Sequence, residues 1–324
     1  MPVHAFIFPG QGSQSVGMGR ELADVFPAAR EVFEEVNESL SQNLSRLMFE
    51  GPAETLTLTE NAQPALMAMS LAVLRVLGRE GGVAVKGKAA VVAGHSLGEY
   101  SALAAAGSLG VAEAARLLKL RGQAMQKAVP AGEGAMAALL GADLDQARDI
   151  CEQAAPVPLE PGEPHRTEVI EIANDNGAGQ VVVSGHRGAV ERAVELAKAK
   201  NIKRAMLLPV SAPFHCRLME PAAEVMAEAL AKSPPRSPVV PLIANVTAAK
   251  ATEPEQIRDL LVRQVTATVR WRESVEAMIA LGVTSFIELG AGKVLTGLVR
   301  RITPDASAVA AGTPAEIETV LKAL

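Results

Sequence analysis

The tightest constraint on the fold of this 324-residue chain is the segment Gly94-His95-Ser96-Leu97-Gly98, because of what flanks it. An apolar run, Ala89 to Ala93, precedes it, and a helix-like stretch, Glu99 to Ala106, follows. A short apolar run bounded by turn signals reads as a buried strand, and here the turn between strand and helix carries the pattern G-x-S-x-G. Glycines two places either side of Ser96 remove side chains where strand and helix crowd together. So tight a turn holds the Ser96 hydroxyl out above a sheet edge, the arrangement of a nucleophile elbow.

The remaining patterns extend this into an α/β fold. Val3 to Phe8 is a second buried strand; it stops at Pro9-Gly10 and delivers the loop Gly10-Gln11-Gly12-Ser13-Gln14. Helical patterns follow, the strongest over Asn61 to Leu77. Between Gly134 and Val210 the units shorten to strand Ala135–Leu140, helix Leu144–Ala154, strands Glu168–Ala173 and Gln180–Ser184, helix Gly188–Lys200 and strand Arg204–Pro209. That order, β-α-β-β-α-β, is the ferredoxin-like split unit. Helix Arg217–Ala231, strand Val239–Ala244, helices around Glu255–Gln264 and Arg272–Leu281, strand Thr284–Leu289 and a terminal helix then resume the longer rhythm. These predict a large α/β domain of residues 1–132 and 208–324, interrupted by a small ferredoxin-like domain of residues 133–207, with Pro156 to Pro164 as a surface loop.

Composition narrows the function. Lys and Arg number 31 and Asp and Glu 36, a formal charge of −5 without long like-charge blocks, which argues against nucleic-acid binding. No apolar run reaches the roughly 18 residues of a membrane span, and Met1 to Gly10 does not read as a signal segment, so a soluble cytoplasmic protein is expected. Cys151 and Cys216 fit no metal-ligand spacing and are expected as reduced thiols. Neither a metal nor a cofactor is expected.

A serine nucleophile needs a base, and the chain has five histidines. His4 opens a strand, His165 lies in the Pro-rich loop, His186 starts a helix, and His95 points away from the hydroxyl of its neighbour. His215 remains: it follows Ser211-Ala212-Pro213-Phe214 directly before a helix, where a sheet-edge base belongs, although a capping or packed histidine would look the same. No Asp or Glu stands in a clear position for a third triad member, so a main-chain carbonyl or an amide is expected to orient the imidazole. Such a base predicts a pH profile rising with a group near neutrality.

At helical periodicity Arg121 shares the face of Leu117, Leu118, Ala124 and Met125. An arginine on an apolar face is costly without an anion, and its planar fork suits a substrate carboxylate; a distant protein carboxylate is the alternative partner. Two glycine-rich segments fail as phosphate sites. Gly10 to Ser15 lacks the third glycine of G-x-G-x-x-G, and Gly290-Ala-Gly292-Lys293-Val294 lacks the leading glycine and the Ser or Thr of a P-loop. The first fits better as a loop whose Gln11 N–H joins that of Leu97 in an oxyanion hole.

Read together, Phe8-Pro-Gly-Gln-Gly-Ser-Gln14, Gly94-His-Ser-Leu-Gly-Glu-Tyr100, Leu120-Arg-Gly122 and Ser211-Ala-Pro-Phe-His215 resemble the malonyl-CoA:acyl carrier protein transacylase family. The resemblance continues through Gly179 to Gly185, Asn245-Val-Thr247, Val262-Arg-Gln264 and Gly290 to Gly297, essentially the whole length. It implies an α/β-hydrolase-like large domain with a ferredoxin-like insertion, and a ping-pong transfer of malonyl through an ester on Ser96 to the phosphopantetheine thiol of acyl carrier protein in fatty acid synthesis. It further implies that His215 is the base, Gln11 and Leu97 amides bind the oxyanion, Arg121 binds the malonyl carboxylate, Gln264 orients His215 through its main-chain carbonyl, and His95 and Phe214 line the substrate pocket. Phe214 matches members whose ring fills the space of a 2-methyl group. Thr268 departs from the proline usual in the family. Malonyl-CoA and acyl carrier protein are the expected partners of a monomer, with Lys198, Lys200, Lys203 and Arg204, or Lys293, Arg300 and Arg301, as docking clusters. The rival readings are a serine esterase or thioesterase, a non-catalytic acyl-binding subunit, and a trans-acting polyketide malonyltransferase.

Overall fold

The computed structural model describes residues 3–157 and 166–324. Among them ten strands form: β1 His4–Phe8, β2 Ala89–Gly94, β3 Gly134–Leu140, β4 Ile170–Asp175, β5 Gln180–His186, β6 Arg204–Leu207, β7 Leu242–Ala244, β8 Ala249–Ala251, β9 Ser285–Leu289 and β10 Ser307–Ala311. Six make one sheet in the order β10-β9-β1-β2-β7-β8, parallel except for β8. The other four make an antiparallel sheet in the order β4-β5-β3-β6.

β1 is buried along its whole length because the large sheet is covered on both faces. Successive side chains point to opposite faces, so Phe6 and Phe8 join the larger apolar cluster with Leu66 and Val73, while Ala5 and Ile7 join Trp271, Val275 and Leu298 on the other side. With few aromatics available, small aliphatic side chains fill most of both layers. The Thr59–Gly81 helix lies within the larger cluster and meets the Val111–Lys127 helix at Gly122. A Cβ there would sit 2.5 Å from the Glu60 Cα and 2.6 Å from the Thr59 carbonyl oxygen, so only glycine lets the two helices approach this closely.

The register of β1 and β2 places the site. Phe8 stands opposite Gly94, so the loops after both strands leave the sheet side by side at its carboxyl edge. His95 N–H donates to the Phe8 carbonyl at 3.0 Å, closing the two loops together.

One face of the small sheet, with Ala135, Ala137 and Leu139, packs on the Leu144–Ala154 and Arg187–Ala199 helices. From the opposite face Met136 and Val182 enter the core of the large domain. β4 is also tied to the segment after Gln264: Val269 N–H donates to Ala173 O at 2.8 Å, Asp175 N–H donates to Val269 O at 3.0 Å, and the Thr268 hydroxyl donates to Ile172 O at 2.5 Å. Arg272 pairs with Asp175 at 2.9 Å beside them.

Several expected elements differ in detail. The strand expected over 239–244 begins at Leu242, since Pro241 has no N–H to add to a ladder. The helix expected from Arg217 opens as a 3-10 turn over Arg217–Met219 and becomes α-helical at Glu220, with Pro221 in the first turn. In place of a single terminal helix, β9 is followed by helix Val294–Ile302, edge strand β10 and helix Pro314–Ala323. The β10 sequence Ser-Ala-Val-Ala-Ala has little intrinsic strand preference and is ordered by pairing with β9. Of the expected Pro-rich loop, Pro156 bridges to Thr167, while 158–164 and the loop histidine His165 lie outside the described residues.

Candidate functional site

Ser96 sits at the turn between β2 and the Gly98–Ala105 helix with φ of 53°, a left-handed conformation that a non-glycine residue adopts only when its surroundings enforce it. Two glycines make the turn possible. A Cβ on Gly94 would lie 1.9 Å from the Gly98 carbonyl carbon, and one on Gly98 would lie 2.3 Å from the Phe8 oxygen. A third residue holds it: the Asn245 side chain, just past β7, accepts the Ser96 N–H at 2.8 Å and donates to the Gly94 carbonyl at 2.7 Å.

The Ser96 hydroxyl meets His215 Nε2 at 2.7 Å. His215, itself at φ 59° and 4% exposed, is bonded through Nδ1 to the Gln264 main-chain carbonyl at 2.9 Å. That bond places the proton on Nδ1 and leaves Nε2 free to accept from the serine. No carboxylate serves as a third member among the described residues; the peptide carbonyl takes that place. Thr268 leaves the arrangement intact, its hydroxyl being spent on β4. Burial, reinforced by the nearby Arg121 charge, pushes the His215 pKa down to about 3, so the imidazole is neutral well below neutrality. That direction runs against the expectation of a group titrating near neutrality.

Arg121 is 1% exposed and aims at the same hydroxyl. Its Nη2 donates to Ser96 Oγ at 3.2 Å and to Gln264 Oε1 at 2.8 Å, and its Nη1 donates to Gln63 Oε1 at 2.8 Å. Among the described residues it has no carboxylate within ion-pair distance, and its Nε–H is buried without an acceptor. Its guanidinium carbon lies 5.8 Å from the centroid of the Tyr100 ring. A buried guanidinium held by neutral amides retains its full positive charge at the hydroxyl, with N–H capacity left for an anion.

These groups line a cavity of about 370 Å³ closed by Met136, Asn174 and Leu208 from the 134–208 region, with Gln11, Leu97 and Phe214 on its wall. The main-chain N–H groups of Gln11 and Leu97 have no protein acceptor among the described residues. His95 also borders the cavity, but its Nε2 is bonded to Asn176 Oδ1 at 2.8 Å, which directs it away from the serine hydroxyl. The other described histidines lie elsewhere: His4 is in β1, and His186 ends β5 with its Nδ1 accepting the Val169 N–H at 2.9 Å.

Four residues at the site carried no chemical signal in the sequence: Gln63, Glu99, Asn245 and the side chain of Gln264. The one available hint was at Gln63, a glutamine directly before the apolar run Pro64 to Met69. Glu99 is 1% exposed, accepts the Asn245 N–H at 2.6 Å and makes a short bond with Gln264 Nε2; burial pushes its carboxyl up to about 7. The discarded Gly290–Lys293 loop is no anion site either. The buried Glu288 carboxylate already takes the N–H groups of Leu295 and Thr296 at the start of the following helix. In the candidate docking clusters, Lys198, Lys200 and Lys293 are paired with Glu195, Asp149 and Glu316.

An α/β sheet presenting a serine elbow, a histidine on its hydroxyl and an unpaired arginine fork defines the acyl-transferring class of such folds. A model of the acyl transferase domain matches residues 5–316, and the chain belongs to that family, within it to the malonyl-CoA:acyl carrier protein transacylases. The malonyl CoA-acyl carrier protein transacylase of Bacillus subtilis is 46% identical over 320 residues, covering 99% of this chain and 96% of the relative. The crystal structure of acyl-carrier-protein-S-malonyltransferase from Bartonella henselae superposes with a TM-score of 0.93 at 55% identity, covering 99% of each chain. A malonyl-transacylase in complex with a type II polyketide acyl-carrier protein superposes with a TM-score of 0.92 at 42% identity, covering 99% of this chain and 100% of the other.

Proposed function

We propose that this chain moves a malonyl group from malonyl-CoA to the phosphopantetheine thiol of acyl carrier protein through an ester on Ser96. The observation that carries the reading is the placement of Ser96 Oγ between His215 Nε2 at 2.7 Å and Arg121 Nη2 at 3.2 Å. A neutral histidine takes the serine proton as Oγ attacks the thioester carbon, and the Gln11 and Leu97 N–H groups receive the developing oxyanion. When the C–S bond breaks, His215 returns the proton to the coenzyme A thiolate. The incoming carrier thiol then repeats the steps in reverse order, giving ping-pong kinetics. Arg121 pairs with the distal malonyl carboxylate and so selects an acyl group that is itself an anion. Phe214 and His95 shape the wall beside the malonyl methylene. The scheme uses no metal or organic cofactor, and the protein acts as a cytoplasmic monomer.

A hydrolase would have little use for a buried arginine without a carboxylate partner. The carrier-protein partner is supported by the names of the relatives, of which one is bound to a polyketide carrier; a polyketide carrier is therefore the second reading beside fatty acid synthesis.

Intact-protein mass spectrometry after brief mixing with malonyl-CoA or acetyl-CoA tests the proposal, with Ser96→Ala as control. A stable malonyl adduct, absent in Ser96→Ala and much weaker with acetyl-CoA, is expected. Steady release of free coenzyme A without an adduct would replace this reading with a thioesterase.

A further inference from the structure

Glu99 is a buried carboxylate beside the reacting groups that the reaction scheme leaves without a task. It lies in the first turn of the Gly98–Ala105 helix, three residues past the serine, and each of its oxygens has a separate occupant. Oε1 takes the Asn245 N–H at 2.6 Å, and Oε2 takes Gln264 Nε2. Gln264 is fully buried, and its amide faces two kinds of neighbour. On one side Nε2 also donates to the Ser96 carbonyl at 2.9 Å; on the other Oε1 accepts from Arg121 Nη2 at 2.8 Å.

A primary amide is nearly symmetric in shape, so packing alone does not choose between its two orientations; hydrogen-bond chemistry does. With Oε1 committed to the Asn245 N–H, Glu99 presents Oε2 to Gln264 as an acceptor, and the NH2 end of the amide is the end that meets it. The reversed amide would set its oxygen against the Glu99 carboxylate and the Ser96 carbonyl, and its NH2 against the guanidinium. All three contacts would then be between like groups.

We propose that Glu99 is a positioning residue for recognition of the substrate carboxylate: it fixes the orientation of the Gln264 amide, and Gln264 Oε1 in turn holds the Arg121 fork at Ser96 Oγ. This rests on the reading of Arg121 as the carboxylate ligand. Gln264 thereby serves both halves of the site, its peptide carbonyl holding His215 and its side chain holding Arg121. Glu99 acts on the second half through the Gln264 amide, while its other oxygen holds the main chain of Asn245 beside the serine turn.

Substituting Glu99→Gln preserves the volume but places an NH2 where an acceptor is needed. Asn245 N–H claims the new oxygen, so the new NH2 faces that of Gln264. Steady-state kinetics with malonyl-CoA and acetyl-CoA, run on the wild type, Glu99→Gln, Gln264→Met and Arg121→Ala, separate the possibilities. In Glu99→Gln the malonyl-over-acetyl ratio of kcat/KM falls about tenfold, equivalent to about 1.4 kcal/mol, mainly through the malonyl KM. An unchanged ratio, or malonyl and acetyl rates falling in parallel, overturns the proposal. Should Glu99→Gln not fold, Gln264→Met assayed in the same way decides: it keeps the main-chain carbonyl on His215 and removes the amide, so a lost malonyl preference supports the proposal and a retained one overturns it. If Arg121→Ala keeps the malonyl preference, the carboxylate reading fails first. If Arg121→Ala loses it and Glu99→Gln does not, only the role of Glu99 fails.

Discussion

Asn245 holds the strained serine: its side-chain oxygen accepts the Ser96 main-chain N–H at 2.8 Å, across 149 positions of sequence. The same amide donates to Gly94 O, so one side chain satisfies both polar groups exposed by the tight turn. A left-handed backbone at a residue with a Cβ costs about 1–3 kcal/mol, and this clamp is what offsets it.

Asn245→Ala therefore strips partners from a buried carbonyl and a half-buried N–H, each worth up to about 1–3 kcal/mol when left unsatisfied. Urea unfolding is expected to show a loss of about 2–5 kcal/mol. In kinetics kcat falls more than KM rises, since the turn that aims Oγ is loosened. A variant with wild-type stability and kcat would contradict the clamp.

Gly94→Ala tests the elbow from its other side. The added Cβ would lie 1.9 Å from the Gly98 carbonyl carbon, and a peptide group cannot swing aside as a side chain can. Destabilisation at or beyond the upper end of the about 1–3 kcal/mol typical of overpacking is expected, together with loss of Ser96 acylation. Measurement of both in one preparation checks it, and a stable, fully acylated Gly94→Ala protein would show that the turn is not constrained as described.

The pH response follows from His215, whose pKa is pushed down to about 3. At pH 5 an imidazole with the ordinary value of 6.5 would be only about 3% unprotonated, whereas this one is almost wholly neutral. Ser96 acylation by malonyl-CoA is thus expected to persist at pH 5, followed by quenched mass spectrometry. A rate that collapses along a curve centred near 6.5 would show an ordinary imidazole. The sign for stability is also determined. Folded His215 binds fewer protons than unfolded between about 3 and 6.5, so the contribution is complete above 6.5 and is lost as pH falls through that window. The stability advantage of wild type over His215→Gln should shrink correspondingly on acidification.

Arg121→Ala is expected to lower kcat/KM for malonyl-CoA by about 2–5 kcal/mol of transition-state free energy, because a buried charge pair loses one member. Acetyl transfer should fall far less, which competition between the two thioesters measures directly. Arg121→Lys should not restore selectivity, since a point ammonium cannot hold Gln63, Gln264 and a carboxylate with one planar fork.

Thr268→Val removes the hydroxyl bond to Ile172 O and little else. A loss of about 1 kcal/mol in unfolding free energy is expected, with unchanged malonyl preference. A change in preference would mean that the seam between β4 and the segment after Gln264 controls the site itself.

The parts legible in the sequence were those written in local pattern. β1 and β2 stand out as apolar runs, the elbow as glycines at fixed spacing, and the buried face of the Val111–Lys127 helix as a periodicity that includes Arg121. His215 was reachable by elimination because the chain has so few histidines. β8 and β10 were missed, since a three-residue strand and an alanine-rich edge strand owe their form to the neighbours they pair with.

Sequence by itself thus determined the layered α/β fold and which side chains could do the chemistry, because turn sterics and apolar periodicity act over a few residues. Only tertiary structure decided how those side chains are held. Gln63, Glu99, Asn245 and Gln264 are ordinary polar residues on separate elements, and their meaning lies in hydrogen bonds made once the core has removed water from between them. In that buried space a donor must find an acceptor, and the choice of partner is made by the packing of distant segments rather than by any spacing along the chain.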